Sequence, residues 1–318
     1  MKIVILDGFA AQPGDLDWSE IQSLGECVIY DTTSTEQLHE RISDAEIVLT
    51  NKTPIKAEDM DRSPELKYIG IMTTGTNLID IQAARERGIV VTNLPAYSSE
   101  SVAQMVFSHL LNIVMSVNKY NEFIHKGLWQ KEQPMDMRRA DYIEVYGQSI
   151  GIVGFGNIGS AVARIAHGFG MSVLVYTSKP QKQLPAYCKS VGLKELFSSA
   201  DVVSLHCPLT AETKGLVDTD KLKSMKPTAI LINTARGALV DEEALKTALI
   251  NGRIAAAGLD VLSEEPPGCE HPLFNLRNCY LTPHVGWATK NACRRIADHT
   301  AKNLTAFLSG NPINTVLR

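Results

Sequence analysis

Residues 151–159 read Gly-Ile-Val-Gly-Phe-Gly-Asn-Ile-Gly, and this stretch decides the fold of the chain. The glycines at 154, 156 and 159 match the pattern GxGxxG, between an apolar run that predicts a strand and a segment with helical spacing. In such a turn the first glycine allows a tight bend, the second lets a pyrophosphate approach the backbone, and the third lets the helix pack closely on the sheet. The helix N-terminus also attracts an anion. We therefore predict a dinucleotide site, with a glycine-rich packing turn as the alternative; its residues are Gly154, Gly156, Asn157, Ile158 and Gly159.

Apolar runs alternate with helical segments on both sides of this motif. Beyond residue 148 the candidate strands are 149–153, 172–177, 201–206, 229–233, part of 254–262, and 279–282, and the candidate helices are 158–169, 193–199, 218–224 and 241–251. Before residue 100 the candidate strands are 2–6, 46–50, 66–72 and 89–92, and the candidate helices are 34–43 and 79–87. A last helix is predicted at 289–308. This alternation predicts an α/β protein with two doubly wound parallel-sheet domains.

The stretch Ser101–Asn118 contains no Asp, Glu, Lys or Arg and is long enough to span a membrane. Polar residues recur in it at every fourth position: Gln104, Ser108, Asn112 and Ser116. We therefore predict a helix buried between protein layers rather than a membrane span. The chain then becomes polar through residues 119–146, which marks a boundary before the glycine motif.

Length and composition exclude several classes of protein. At roughly 150 residues per domain, the 318 residues suggest about two domains. The 31 Lys and Arg against 35 Asp and Glu give a net charge of −4, so no basic field indicates nucleic acid or a membrane as a partner. The run Ile3–Leu6 is too short for a signal peptide, and the six cysteines form no CxxC pair. We expect a cytoplasmic protein with reduced thiols and no metal site.

The residue about 20 positions after the glycine motif distinguishes NAD-binding from NADP-binding sites, because an Asp or Glu there binds the ribose hydroxyls of NAD. No carboxylate lies between Met171 and Lys194, and the second strand of this half ends at Thr177, Ser178 and Lys179. A small hydroxyl and a cation suit a 2′-phosphate. The sequence therefore slightly favours NADPH over NADH, and a solvated loop is the alternative for these residues.

Hydride transfer to the carbonyl of an acid needs a proton donor and a cation near the carboxyl ends of the strands. Arg236 follows the predicted strand 229–233, and its planar guanidinium suits bidentate contact with a carboxylate, although a surface salt bridge is the alternative. His206 and His284 both follow predicted strands, and position alone does not separate them. Glu265 is a candidate partner for the histidine, because a neighbouring carboxylate orients an imidazole and favours its protonated form. An exposed acidic loop is the alternative for Glu265.

Five motifs together resemble the D-isomer-specific 2-hydroxyacid dehydrogenase family over nearly the whole chain: the glycine motif, NTARGALVD at 233–241, AGLDV at 257–261, Glu265-Pro266, and TPHVG at 282–286. The resemblance implies a Rossmann cofactor domain at 99–287, inserted in a flavodoxin-like substrate domain. The substrate domain would take residues 1–98 and a C-terminal helix within 288–318. The resemblance also implies a homodimer formed through the region 101–118.

The resemblance assigns roles to particular residues. It implies that Arg236, Glu265 and His284 are catalytic and that Asp260 holds the nicotinamide carboxamide. Backbone amides of Thr74 and Gly75 would bind the substrate carboxylate together with Arg236, and His284 would also contact the substrate. We expect further cofactor contacts from the other strand ends, at His206, Pro208, Thr234, Ala235, Arg236, His284 and Gly286.

The missing carboxylate after the second strand resembles the glyoxylate and hydroxypyruvate reductase subgroup. The implied function is hydride transfer between a nicotinamide and a small 2-oxo acid, first hydroxypyruvate with D-glycerate as its product, and also glyoxylate. Two alternatives remain. Residues 75–77 also resemble the D-3-phosphoglycerate dehydrogenases, and a dinucleotide-sensing binding protein of the corepressor type would keep the same three catalytic positions.

Overall fold

The computed structural model describes residues 1–9, 17–129 and 142–316. Contacts divide the chain into two compact units: unit 1 is Met1–Ser98 with Trp287–Arg318, and unit 2 is Ser99–Gly286. The second crossing between the units therefore comes one residue before the boundary expected after residue 287. Residues 130–141 of the polar segment predicted at 119–146 lie outside the described residues.

Unit 1 is a five-stranded parallel sheet with helices. Its strands are β1 (Lys2–Ile5), β2 (Glu26–Ile29), β3 (Ile47–Thr50), β4 (Tyr68–Ile71) and β5 (Val90–Thr92). Its helices are α1 (Ser19–Gln22), α2 (Thr35–Ile42), α3 (Ala57–Asp61), α4 (Ile81–Glu86) and α11 (Lys290–Leu308). The strand order β2-β1-β3-β4-β5 is the flavodoxin-like order. All residues of β3 and β4 are buried, as expected of central strands covered on both faces.

Unit 2 contains a seven-stranded parallel sheet. Its strands are β6 (Ser149–Val153), β7 (Ser172–Tyr176), β8 (Cys188–Ser190), β9 (Val202–Leu205), β10 (Ile230–Asn233), β11 (Ala256–Leu259) and β12 (Cys279–Leu281). Its helices are α5 (Ser99–Met115), α6 (Val117–His125), α7 (Asn157–Gly168), α8 (Leu193–Ser199), α9 (Thr219–Ser224) and α10 (Glu242–Ile250). The order β12-β11-β10-β9-β6-β7-β8 is that of a Rossmann sheet, whose direction of winding reverses between β6 and β9.

Apolar side chains cover both faces of the unit 2 sheet. One cluster packs α5 and α7 against the sheet, and the other packs α8, α9 and α10 on the opposite face. This arrangement leaves the carboxyl ends of the strands for polar loops, where a doubly wound sheet carries its site.

The fold class predicted from the sequence is confirmed, since both units are parallel α/β sheets. The helix predicted at 101–118 is wrong in its bounds, because α5 ends at Met115. Ser116 has a φ of 51°, which breaks the helix, and α6 starts at Val117 and continues into the segment that was expected to be merely polar. Asp241 does cap α10, since its side chain accepts a hydrogen bond from the Ala244 amide. Among the described residues, no helix combines the length and apolar character needed to cross a membrane.

Candidate active site

The glycine motif forms the turn between β6 and α7. Gly154 has a φ of +97°, which glycine adopts without strain, and a Cβ on Gly159 would lie 2.2 Å from the Gly154 carbonyl oxygen. Among the described residues, nothing lies within 4 Å of a Cβ built on Gly156. Gly156 is the N-cap of α7 and supplies no side-chain acceptor, so the first amides of the helix, beginning with those of Asn157 and Ile158, are left for an external acceptor. This is the arrangement that a pyrophosphate requires.

The residues expected to select the cofactor follow β7. The Lys179 amide donates to Thr177 Oγ1 at 3.2 Å, and both Ser178 and Lys179 are exposed. The Lys179 ammonium lies 5.6 Å from the centroid of the Phe155 ring, within cation–π distance. Because Phe155 belongs to the glycine motif, this contact places a positive charge beside the turn.

The structure separates the two histidines that the sequence left equivalent. His206 follows β9, and its Nε2 lies 2.8 Å from Ser204 Oγ. Burial lowers the pKa of His206 from 6.5 to about 3, so the ring stays neutral at ordinary pH and is a poor proton donor. Its Nδ1 is buried without a hydrogen-bond partner in the described part of the chain. The loop beyond it is held by the Pro208 carbonyl, which accepts from Thr213 Oγ1 at 2.7 Å.

The loop after β10 presents Arg236. Asn233 holds this loop from the strand end: its Nδ2 donates to the Arg236 carbonyl at 2.8 Å, and its Oδ1 accepts from the Ala235 amide at 3.0 Å. The Arg236 side chain is exposed, and its Nη1 donates to the Ala235 carbonyl at 2.7 Å. The neighbouring Thr234 is buried, and its Oγ1 has no hydrogen-bond partner among the residues described. A buried hydroxyl without a partner at this edge fits a site that a ligand completes.

His284 follows β12 and pairs with Glu265. His284 Nδ1 lies 2.6 Å from Glu265 Oε2, and about a third of each side chain is exposed, 33% and 35%. The other carboxylate oxygen of Glu265 accepts from the Leu262 amide at 3.0 Å. His284 adopts the left-handed region with a φ of 54°, and its amide donates to the Asp260 carbonyl at 2.8 Å. The pair combines a proton carrier with a carboxylate that orients it.

The Asp260 carboxylate anchors the loop after β12. It is 2% exposed. Its Oδ1 accepts from Thr282 Oγ1 at 2.5 Å and from the Val285 amide at 3.0 Å, and its Oδ2 accepts from the Gly286 amide at 2.8 Å. His109 of α5 extends the network, with Nε2 3.0 Å from Thr282 Oγ1. Burial lowers the pKa of His109, and the charge of Asp260 only partly opposes that shift.

The loop of unit 1 predicted to hold a carboxylate follows β4. Thr74 is bonded on both sides, since its Oγ1 donates to the Leu94 carbonyl and its own carbonyl accepts from Asn93 Nδ2, each at 2.8 Å. Thr73 Oγ1 donates to the Gly75 carbonyl at 3.1 Å. Within the described residues, neither the Thr74 nor the Gly75 amide has an acceptor. The loop is therefore held in place while two of its donors remain available to a ligand.

Several predicted residues of unit 2 lie at the carboxyl ends of adjacent strands, and the sheet order accounts for this. β10, β11 and β12 are neighbours in the sheet, and they end next to Arg236, Asp260 and His284 respectively. Sequence reasoning missed His109 and Thr282 as parts of this network. Thr282 belongs to the motif at 282–286, but nothing in the sequence links it to His109, because their contact depends on how α5 packs on the sheet.

Comparison with known proteins identifies the family. The family model described as D-isomer specific 2-hydroxyacid dehydrogenase, NAD binding domain, matches residues 107–286. A hydroxypyruvate reductase of Blautia hydrogenotrophica is 42% identical over 320 residues, 99% of this chain and 99% of that protein. A glycerate dehydrogenase of Methylorubrum extorquens is 38% identical over 290 residues, 90% of each. The solved structure of an acyclic imino acid reductase in complex with NADPH and D-arginine is 31% identical, covers 100% of both chains and has a TM-score of 0.88.

This chain belongs to the D-isomer specific 2-hydroxyacid dehydrogenase family. It is an oxidoreductase that uses a nicotinamide cofactor, as the sequence predicted. The residues of unit 2 fit a nicotinamide cofactor for two reasons. The space beside Gly156 at the N-terminus of α7 is open among the described residues, and the buried Thr234 hydroxyl lacks a hydrogen-bond partner among them.

Proposed function

We propose that this chain reduces hydroxypyruvate to D-glycerate, with glyoxylate as a second substrate. The observation that carries the proposal is the 2.6 Å contact between His284 and Glu265, in the same unit as the glycine turn. The names of the relatives, a hydroxypyruvate reductase and a glycerate dehydrogenase, support the choice of substrate.

The reduction adds a hydride and a proton across the carbonyl of the 2-oxo acid. When bound, the reduced nicotinamide supplies the hydride. His284 supplies the proton from Nε2, since Nδ1 faces Glu265, and the carbonyl oxygen becomes the hydroxyl. The negative charge of Glu265 stabilises the protonated ring before transfer. Arg236 binds the substrate carboxylate and polarises the neighbouring carbonyl through its planar guanidinium.

We further propose that unit 1 is the substrate domain and unit 2 the cofactor domain. The amides of Thr74 and Gly75 support the first assignment, because two donors without acceptors among the described residues suit a carboxylate. For the cofactor domain, we propose contacts from the glycine turn, the strand ends at His206, Pro208, Thr234 and Ala235, and the loop at Gly286. Asp260 Oδ2, which accepts only the Gly286 amide among the described residues, would hold the carboxamide.

We propose that NADPH is preferred over NADH. The Lys179 ammonium beside the Phe155 ring supports this preference, because it places a cation next to the glycine turn, where it could bind the 2′-phosphate of NADPH. The sequence has no carboxylate between Met171 and Lys194 that would bind the ribose hydroxyls of NADH. Lys179→Glu should therefore raise the KM for NADPH about tenfold or more and lower that for NADH. Lys182→Glu, an exposed lysine three positions on, is the matched control.

The first test is to follow nicotinamide absorbance with hydroxypyruvate, glyoxylate and phosphohydroxypyruvate, each with NADPH and with NADH. Rapid oxidation with hydroxypyruvate supports the proposal. Selective turnover of phosphohydroxypyruvate would instead assign a D-3-phosphoglycerate dehydrogenase. Tight cofactor binding without turnover of any acid would favour a dinucleotide-sensing binding protein.

We also propose that the chain forms a homodimer through α5 and α6. α6 buries none of its own side chains, and Val117, Tyr120 and Ile124 lie on one face of it, exposed by 62%, 42% and 43%. Met115, the last residue of α5, is also 45% exposed. A second copy of the chain is the occupant that the proposal names.

A further inference from the structure

We propose that Glu242, the first residue of α10, is a positioning residue for the Glu265–His284 pair. It would act by fixing the Leu262–Ser263 peptide, which directly follows the Leu262 amide that binds Glu265. This inference rests on the proposed function, because it takes Glu265 and His284 as the catalytic pair.

Glu242 accepts two hydrogen bonds from Ser263, which lies in the loop just before Glu265. Its Oε1 accepts from the Ser263 amide at 2.8 Å, and its Oε2 accepts from Ser263 Oγ at 2.5 Å. Oε2 also lies 3.2 Å from His271 Nε2. These contacts use both carboxylate oxygens and orient the carboxylate from two sides.

The amide that Glu242 binds is next along the backbone to the amide that binds Glu265. The Leu262 amide donates to Glu265 Oε1 at 3.0 Å, and Glu265 Oε2 then meets His284 Nδ1 at 2.6 Å. Two glutamates therefore accept from the consecutive amides 262 and 263. A tilt of this backbone would move the carboxylate that orients the histidine.

A second backbone contact fixes the same peptide. A Cβ on Gly237 would lie 1.9 Å from the Leu262 carbonyl carbon and 2.2 Å from the Ser263 amide nitrogen. The turn that follows Arg236 thus packs directly on the Leu262–Ser263 peptide. Glu242 consequently binds the backbone segment that contacts the turn after Arg236 and also leads to Glu265.

Glu242 is largely buried, which is unusual for a carboxylate that has only a structural role on a helix surface. The Glu242 side chain is 13% exposed and that of His271 is 9% exposed. Burial, with the charge of Glu242 as a further cause, raises the pKa of the nearby Cys279 thiol to about 12. A buried carboxylate costs free energy unless it is fully hydrogen-bonded. The N-terminus of α10 and the three contacts offset that cost here.

The test uses the full-length protein and three single variants. Glu242→Ala removes all the contacts of this carboxylate, and Glu242→Gln keeps an acceptor for the Ser263 amide. Glu243→Ala is the matched control, because Glu243 lies in the same first turn of α10, is 70% exposed and pairs only with Lys246 among the described residues. We expect kcat for hydroxypyruvate to fall about ten- to a hundredfold in Glu242→Ala, by less in Glu242→Gln, and to change less than about twofold in Glu243→Ala. The dissociation constant of the cofactor should stay within about threefold of wild type in all three.

A double-mutant cycle separates positioning from a general structural role. If Glu242 acts only by positioning Glu265, removing Glu242 should have little further effect in a protein that already lacks the Glu265 carboxylate. Glu242→Ala should therefore lower kcat by less than about twofold in a Glu265→Gln background. If the loss of kcat in the double variant equals the product of the losses in the two single variants, the inference is overturned. A kcat within about twofold of wild type in Glu242→Ala while Glu265→Gln is impaired would also overturn it.

Hydrogen–deuterium exchange tests the inference without turnover. Exchange of peptides covering residues 260–266 should be faster in Glu242→Ala than in wild type and unchanged in Glu243→Ala. If the wild type turns over none of the acids, the proposed function fails, and this exchange result alone decides whether Glu242 holds the loop. Unchanged exchange would overturn the inference even for an active enzyme.

Discussion

At the scale of single residues, the contact between His284 and Glu265 supports the proposal that His284 is the proton donor. His284→Ala should lower kcat by about a hundred- to ten-thousandfold, which is the usual contribution of a general acid. Binding of the cofactor should change little, because the substitution leaves the glycine turn intact. His39→Ala, an exposed substitution on α2, is the control for the loss of an imidazole. Near-normal turnover of His284→Ala would refute the assignment.

His206 differs from His284 in its burial, and we expect this difference to appear in the pH dependence of stability. Burial holds its pKa at about 3 in the folded protein, against 6.5 for the ordinary group. The unfolded chain therefore binds the proton more tightly, so this contribution to the free energy of unfolding is complete above about pH 6.5 and is lost progressively as the pH falls towards 3. His109, whose pKa is also lowered by burial, contributes with the same sign.

The corresponding prediction concerns urea midpoints between pH 7 and about pH 4.5. The midpoint of wild type should fall over this range, and in His206→Gln it should fall less steeply. His39→Gln should retain the wild-type slope. An identical slope in His206→Gln would show that the histidine is not buried in its neutral form.

At the scale of secondary-structure elements, the packing of α7 against β6 depends on one glycine. A Cβ on Gly159 would lie 2.2 Å from the Gly154 carbonyl, whereas nothing among the described residues lies within 4 Å of a Cβ on Gly168 in the last turn of the same helix. Gly159→Ala should destabilise the protein by about 1–3 kcal/mol and weaken cofactor binding. Gly168→Ala should leave the free energy of unfolding unchanged or raise it by up to about 1 kcal/mol. Urea unfolding and a cofactor titration of both variants test this pair.

The sequence predicted the central elements better than the peripheral ones. β6, β9 and β10 consist largely of buried apolar residues, so the length and composition of each run were sufficient. β2 and β8 were missed because they are edge strands of four and three residues with partly exposed side chains. The break between α5 and α6 was missed too, since Ser116 enters the left-handed region without a glycine to signal it.

The candidate site was predictable to the extent that it lies on motifs at strand ends. Arg236, Glu265 and His284 each follow a strand, and a parallel sheet brings its carboxyl ends to one edge. The hydrogen bonds of Glu242 to Ser263 were not predictable. They join side chains 21 residues apart through tertiary packing, and no spacing rule for helices or strands covers that distance.

At the scale of the whole molecule, the proposed homodimer depends on the apolar face of α6. Ile124→Glu places a charge on that face, and burying an unpaired carboxylate in an interface is costly. We expect sedimentation equilibrium to show dimers for wild type and a dissociation constant raised at least about tenfold for Ile124→Glu. Asn118→Glu, which adds the same side chain outside that face, should remain dimeric. A monomeric wild type would refute the proposal.

The chain leaves unit 2 for unit 1 between Gly286 and Trp287, only two residues after His284. Val285 and Gly286 are the two residues in between, and the amides of both donate to the carboxylate of Asp260. A shift of the backbone at Trp287 would therefore reach His284 through two residues whose amides are held by charge-assisted hydrogen bonds to Asp260.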